Sequence, residues 1–116
     1  MAKNAKISKG DVMSREDIFQ TLTSIKEEVK DRYKIEQAIE DLTPARLRRT
    51  GRQFEGLCPF HVEKTPSFKV DTSRGNYRCW GCGEAGDVFT LIQTTQNLEF
   101  QAAILFGADR LGLQVP

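Results

Sequence analysis

Two short runs, Cys58-x2-His61 and Cys79-x2-Cys82, constrain this chain more than anything else in it. Together they use all three cysteines and the single histidine of the 116 residues. Zn²⁺ takes four nitrogen or sulfur donors in a tetrahedron, without directional demand from its filled d shell. Donors separated by two residues can be presented by one tight turn. Two such turns, carried by opposite arms of a hairpin, close the tetrahedron. Gly81 and Gly83 are read as giving the second turn backbone angles barred to other residues. A redox dithiol at Cys79 and Cys82 would call for a βαβ context, and none is visible. Cys58, His61, Cys79 and Cys82 are therefore expected to hold one structural Zn²⁺. Four protein ligands leave no open position for water, so no catalytic role is assigned to the metal. In so short a chain the ion should supply much of the folding free energy.

The flanking sequence supplies the scaffold for that site. Residues 1–12 are polar and are expected to be disordered. Residues 13–33 read as a helix. Ser14 and Asp17 form a capping box, and Met13 with Ile18 forms a hydrophobic staple around it. Ile18, Leu22, Ile25 and Val29 then recur on one face, which suits packing against the core better than a partner seam. Ile35, Ala38, Ile39 and Leu42 mark a second helix, stopped before Pro44. The middle reads as β, with a turn at Thr50-Gly51 and a hairpin pairing residues 67–70 with 77–80 across the loop DTSRGN. Asp87 caps a short helix carrying Val88, Leu91 and Ile92. Phe100, Ala103, Ile104 and Leu111 suit a last helix, ended by Gly112.

Charge singles out the same region. The formal net charge is only +1, yet residues 46–78 carry eight basic and three acidic side chains. A concentrated basic face suits nucleic acid; an ordinary solvated surface fits charge alone equally well. In the hairpin, alternation places Phe68 and Val70 opposite to Lys69, and Tyr77 and Cys79 opposite to Arg78 and Trp80. Phe68 is read as core. Tyr77 and Trp80 admit both a core reading and a base-stacking reading, the latter with cations tracking the phosphates of a single strand. No apolar run approaches the length of a membrane span, and the first residues lack the apolar segment of a secretion signal. The chain is accordingly read as cytoplasmic, with reduced thiols and no membrane partner.

The segments GLCPFHVEKTPSF and YRCWGCGEAGDVF closely resemble the CHC2-type zinc-binding domain of bacterial and phage-type DNA primases. The resemblance runs from about Ile35 to Leu113 and includes GRQFEG and FQAAILFGADRLGL. It implies an α+β fold: a zinc-ribbon-type small antiparallel sheet flanked by helices, here with an N-terminal helical extension at 13–34 before a domain at 35–113. It implies the same four zinc ligands. It also implies contact with single-stranded DNA template and help to a primase catalytic core, in cis or in trans, in starting an RNA primer, with the replicative helicase as a further partner. Carried onto this sequence, the DNA-contacting residues are Arg48, Arg49, Arg52, Lys64, Lys69 and Arg78, with Tyr77 and Trp80 as stacking residues. Trp80 stands where the family often has phenylalanine.

Two departures shape the expectation. The helix before residue 35 has no transferable family role. No EGxxD-like or DxD-like acidic constellation appears, so the chain is expected not to make primers by itself. The alternative to a primase module is a stand-alone phage or plasmid accessory protein that docks onto a separate primase or helicase through the helix at 14–33.

Overall fold

The computed structural model describes residues 14–114. The expectations for residues 1–12 and for the Met13 staple lie outside the described residues. The chain runs α1 (Arg15–Arg32), α2 (Ile35–Leu42), β1 (Arg48–Thr50), β2 (Gln53–Gly56), β3 (Phe68–Asp71), β4 (Asn76–Cys79), β5 (Ala85–Asp87), α3 (Val88–Gln96) and α4 (Phe100–Leu111). This is the α+β arrangement of a small antiparallel sheet with flanking helices.

Local chemistry sets the helix ends. At the start of α1, the Asp17 N–H donates to Ser14 Oγ at 3.1 Å and the Ser14 N–H donates to the Asp17 carboxylate at 3.2 Å. This is the reciprocal capping box read from the sequence. Asp87 caps α3, its carboxylate accepting the N–H groups of Phe89 and Thr90, each at 3.0 Å.

The stripe on α1 is buried over only half its length. Ile25 and Val29 are in the core, while Ile18 is 46% exposed and its neighbour Phe19 69% exposed. Core packing therefore describes the second half of the stripe and not Ile18. That second half lies on α4. A Cβ added at Gly107 would sit 2.6 Å from Val29 Cγ1, so a glycine is what lets the two helices approach this closely. Val29, Tyr33, Ile35 and Ile39 join Val88, Leu91, Ile92, Ala103 and Ala108 in one core, which crosses the boundary expected at residue 35.

The sheet is a meander in the order β1-β2-β3-β4-β5, every neighbour antiparallel. Strand alternation gives it two unlike faces. Phe54, Val70 and Tyr77 align on the inner face, followed by Phe68 and Cys79. Glu55, Lys69 and Arg78 align on the outer face. Strand β5 was not expected from the sequence, which showed only a cap at Asp87. Its residues Ala85 and Gly86 carry no β preference and are held by pairing with Arg78 and Tyr77.

Candidate metal centre

In a meander, alternate connections fall at the same end of the sheet. The β2–β3 loop carries Cys58 and His61. The β4–β5 connection carries Cys82, with Cys79 closing β4. The topology thus delivers both ligand pairs to one end. The four donor atoms lie within 4.8 Å of one another. Cys58 Sγ and Cys82 Sγ are 3.8 Å apart, and Cys79 Sγ lies 3.9 Å from His61 Nδ1. A tetrahedron built on Zn–S bonds of about 2.3 Å has edges of about 3.8 Å, so the donor set fits one zinc ion. Bound there, zinc ties two hairpins together and supplies no reaction chemistry.

Backbone amides prepare the sulfurs for that role. The Phe60 N–H donates to Cys58 Sγ at 3.3 Å. The N–H groups of Gly81 and Cys82 donate to Cys79 Sγ at 3.3 and 3.4 Å. Burial raises the Cys79 thiol pKa, but these donors outweigh it and hold the group below its ordinary value. Burial dominates at Cys58 and pushes its thiol up to about 12. A metal must displace that proton, so zinc uptake at Cys58 is linked to proton release.

Sequence reasoning missed one member of the site, Glu63. Its Oε2 accepts the backbone N–H of Cys58 at 2.8 Å and of Ser67 at 3.2 Å. Its Oε1 accepts the Ser67 hydroxyl and lies 3.3 Å from His61 Nε2. The Ser67 hydroxyl is the largest influence holding this carboxyl below the usual carboxylate range. An acidic residue in a polar loop gives no periodic signal; only its place two residues after a ligand histidine hinted at this.

The glycines of the second turn act differently from expectation. Gly83 has φ of +87° and does need the left-handed region, whereas Gly81 does not. A Cβ at Gly81 would stand 3.0 Å from His61 Nε2 and 3.2 Å from Glu63 Oε1, so the requirement there is close approach.

Comparison with known proteins agrees with this centre. The sequence profile of the CHC2 zinc finger family matches residues 21–116. The chain belongs to the CHC2 zinc finger family. The DNA primase of Clostridium acetobutylicum is 43% identical over 100 residues, covering 86% of this chain and 15% of that protein. The DNA primase of Deinococcus radiodurans is 51% identical over 74 residues, or 64% of this chain and 12% of that protein. The chain thus spans under a sixth of the length of these relatives. A crystal structure of the Aquifex aeolicus primase, comprising zinc-binding and RNA polymerase domains, superposes with a TM-score of 0.69 at 28% identity, over 79% of this chain and 22% of that one.

The residues expected to touch DNA scatter over the CHC2 domain. Arg48, Lys69 and Arg78 share the outer face. Glu55 stands between the first two, with its carboxylate 2.7 Å from Arg48 and 2.6 Å from Lys69. Those two cations are therefore already paired. Arg78 lies over the Trp80 ring, its guanidinium carbon 4.2 Å from the centroid, and the indole is 65% exposed. A depression of about 300 Å³ runs beside them, lined by Gln53, Lys69, Asp71, Asn76, Arg78 and Trp80. Arg49 falls on the other parity and lies over Phe54 at 5.7 Å. Arg52 sits in the β1–β2 turn and Lys64 in the loop after His61, at opposite ends of the sheet.

Tyr77 must be withdrawn as a stacking residue. It is 2% exposed, and its ring packs between Phe60 at 5.9 Å and Phe68 at 5.5 Å. Its parity with Cys79 already required this. Phe68 is core, as read from the sequence. Among the described residues, no helix is long and apolar enough to cross a membrane.

Proposed function

We propose that this CHC2 domain is the zinc-binding, template-recognition module of a DNA primase, gripping single-stranded DNA on the outer face of its sheet. The observation that carries this is the exposed Trp80 held by Arg78 beside the depression shared with Lys69. An exposed aromatic ring beside the Arg78 guanidinium suits a base with its phosphate, and needs no particular sequence. The outer row also has few apolar atoms to bury, so its exposure costs the fold little. Similarity to primases supports the functional class, and the closed metal site supports a binding role over a catalytic one. In this reading the module presents the template to a catalytic core, in cis or in trans, and that core polymerises the primer.

The test is reconstitution. The chain is mixed with a primase catalytic core lacking its own zinc domain, and template-directed primer synthesis is measured. Restored synthesis that is lost with Trp80→Ala or Arg78→Ala supports the reading. Restoration unaffected by either substitution removes the outer face from it. A second reading, an accessory protein docking onto a separate primase or helicase through α1, draws on the exposed Ile18 and Phe19. Ile18→Ser with Phe19→Ser would then abolish partner capture and leave DNA binding intact.

A further inference from the structure

The contacts of Glu63 extend from the metal centre to the outer face. The Ser67 carbonyl oxygen accepts the N–H of Trp80 at 2.9 Å. A continuous path therefore leads from the His61 ring through the Glu63 carboxylate and Ser67 to Trp80. We propose that Glu63 is a positioning residue that orients the His61 ring for the metal and, through Ser67, makes metal occupancy set the placement of Trp80.

The two oxygens of Glu63 divide the work. Oε2 takes two backbone N–H groups and braces the first knuckle, the turn of the β2–β3 loop that carries Cys58 and His61. Oε1 faces His61 Nε2 and takes the Ser67 hydroxyl. The Nδ1 atom of His61 faces the sulfurs, so a metal on Nδ1 requires the ring proton on Nε2. A carboxylate beside that proton favours the required tautomer, fixes the ring plane and makes Nδ1 a better donor. The close approach of Gly81 to both His61 and Glu63 keeps larger groups out of this contact. At the far end, Ser67 precedes β3 and bonds the residue just after β4. Movement of the first knuckle on metal loss would thus be felt at the Trp80 backbone.

Glu63→Gln separates the two functions. Its carbonyl oxygen can keep the backbone N–H groups of Cys58 and Ser67. Its amide then presents N–H to the Nε2–H of His61, a donor facing a donor. The chain has one histidine and one tryptophan, so each probe reports a single residue. Three readouts are taken on the isolated chain without DNA: zinc affinity by chelator competition, Nε2–H exchange of the imidazole by nitrogen-15 NMR, and Trp80 emission during zinc titration. Wild type is expected to show a protected Nε2–H and a zinc-dependent shift in Trp80 emission. Glu63→Gln should weaken zinc binding about 10–100-fold and expose Nε2–H even at saturating zinc.

Unchanged zinc affinity and Nε2–H protection in Glu63→Gln would overturn the His61 half. Wild-type emission indifferent to zinc would overturn the Trp80 half. If Glu63→Gln fails to fold, Ser67→Ala decides. It leaves the Glu63–His61 contact in place, so Nε2–H should stay protected while the zinc-dependent emission shift is reduced; the reverse pattern sinks the proposal. The meaning of the Trp80 half for template binding rests on the proposed function. Its measurement does not, so the two can fail separately.

Discussion

The inner and outer faces of β3 and β4 are built from alternating residues of the same two strands, and they could hardly differ more. Inward lie Phe68, Val70, Tyr77 and Cys79, all buried, with Phe60 from the first knuckle stacked on Tyr77 and tilted against Phe68. Outward lie Lys69 and Arg78, beside an exposed Trp80. The inner row is fixed twice, by burial and by the metal that Cys79 helps to hold. The outer row is fixed by little more than the Glu55 ion pairs and the Arg78–Trp80 contact, both at the surface, where solvent screening leaves such contacts weak. Changes inside should therefore appear as stability, and changes outside as binding.

The largest effect should come from taking away the metal. Strong chelation, or Cys79→Ser, should unfold the sheet, seen as loss of its far-ultraviolet circular dichroism. A spectrum indifferent to chelation would end the division just drawn. Next, Tyr77→Ala should cost about 3–5 kcal/mol in chemical denaturation, the range for emptying an aromatic site in a core. Tyr77→Phe sharpens that result. The buried Tyr77 hydroxyl has no hydrogen-bond partner among the described residues, so its removal should raise stability by about 1 kcal/mol. DNA binding should be unchanged in the phenylalanine variant.

Outside, the pattern inverts. Trp80→Ala should weaken single-stranded DNA binding by about 1–3 kcal/mol by fluorescence anisotropy, with stability altered by less than about 0.5 kcal/mol. The smallest effect belongs to Glu55. Hydrogen bonds from Lys69, then from Arg48, hold its carboxyl below the ordinary range. A carboxylate with a lowered folded value stabilises the fold above its unfolded value and loses that contribution as pH falls through the folded one. The pairs thus persist at neutral pH and open only in acid. Glu55→Gln should release Arg48 and Lys69 at neutral pH, strengthen DNA binding and steepen its salt dependence, with little change in stability. Weaker binding in this variant would mean that Glu55 positions those cations for the strand.

What could be read in advance was what neighbouring residues decide among themselves. Ser14 and Asp17 cap a helix through contacts three residues apart. The ligand pairs declare themselves because chemistry forces cysteine and histidine into tight spacing. What stayed hidden depends on residues distant in sequence. Ala85 and Gly86 become a strand only because β4 offers an unpaired edge. Glu63 is the exception, since its partners Cys58, His61 and Ser67 are all near neighbours in sequence, but a loop carboxylate belongs to no periodic pattern that would mark it. Tyr77 is the instructive case, since the alternation that sent Cys79 inward had already sent Tyr77 with it.

The meander also bears on the order in which the molecule assembles. Each strand pairs with the one before it, so the sheet closes through short loops and requires no early meeting of remote segments. The demanding encounter is elsewhere, where Val29 of α1 must find Gly107 of α4 from nearly the other end of the chain. On that account the hairpins form first and zinc acts as a latch on loops already close together. The slow step is helix docking, and variants at Val29 or Gly107 should retard refolding while metal capture keeps its pace.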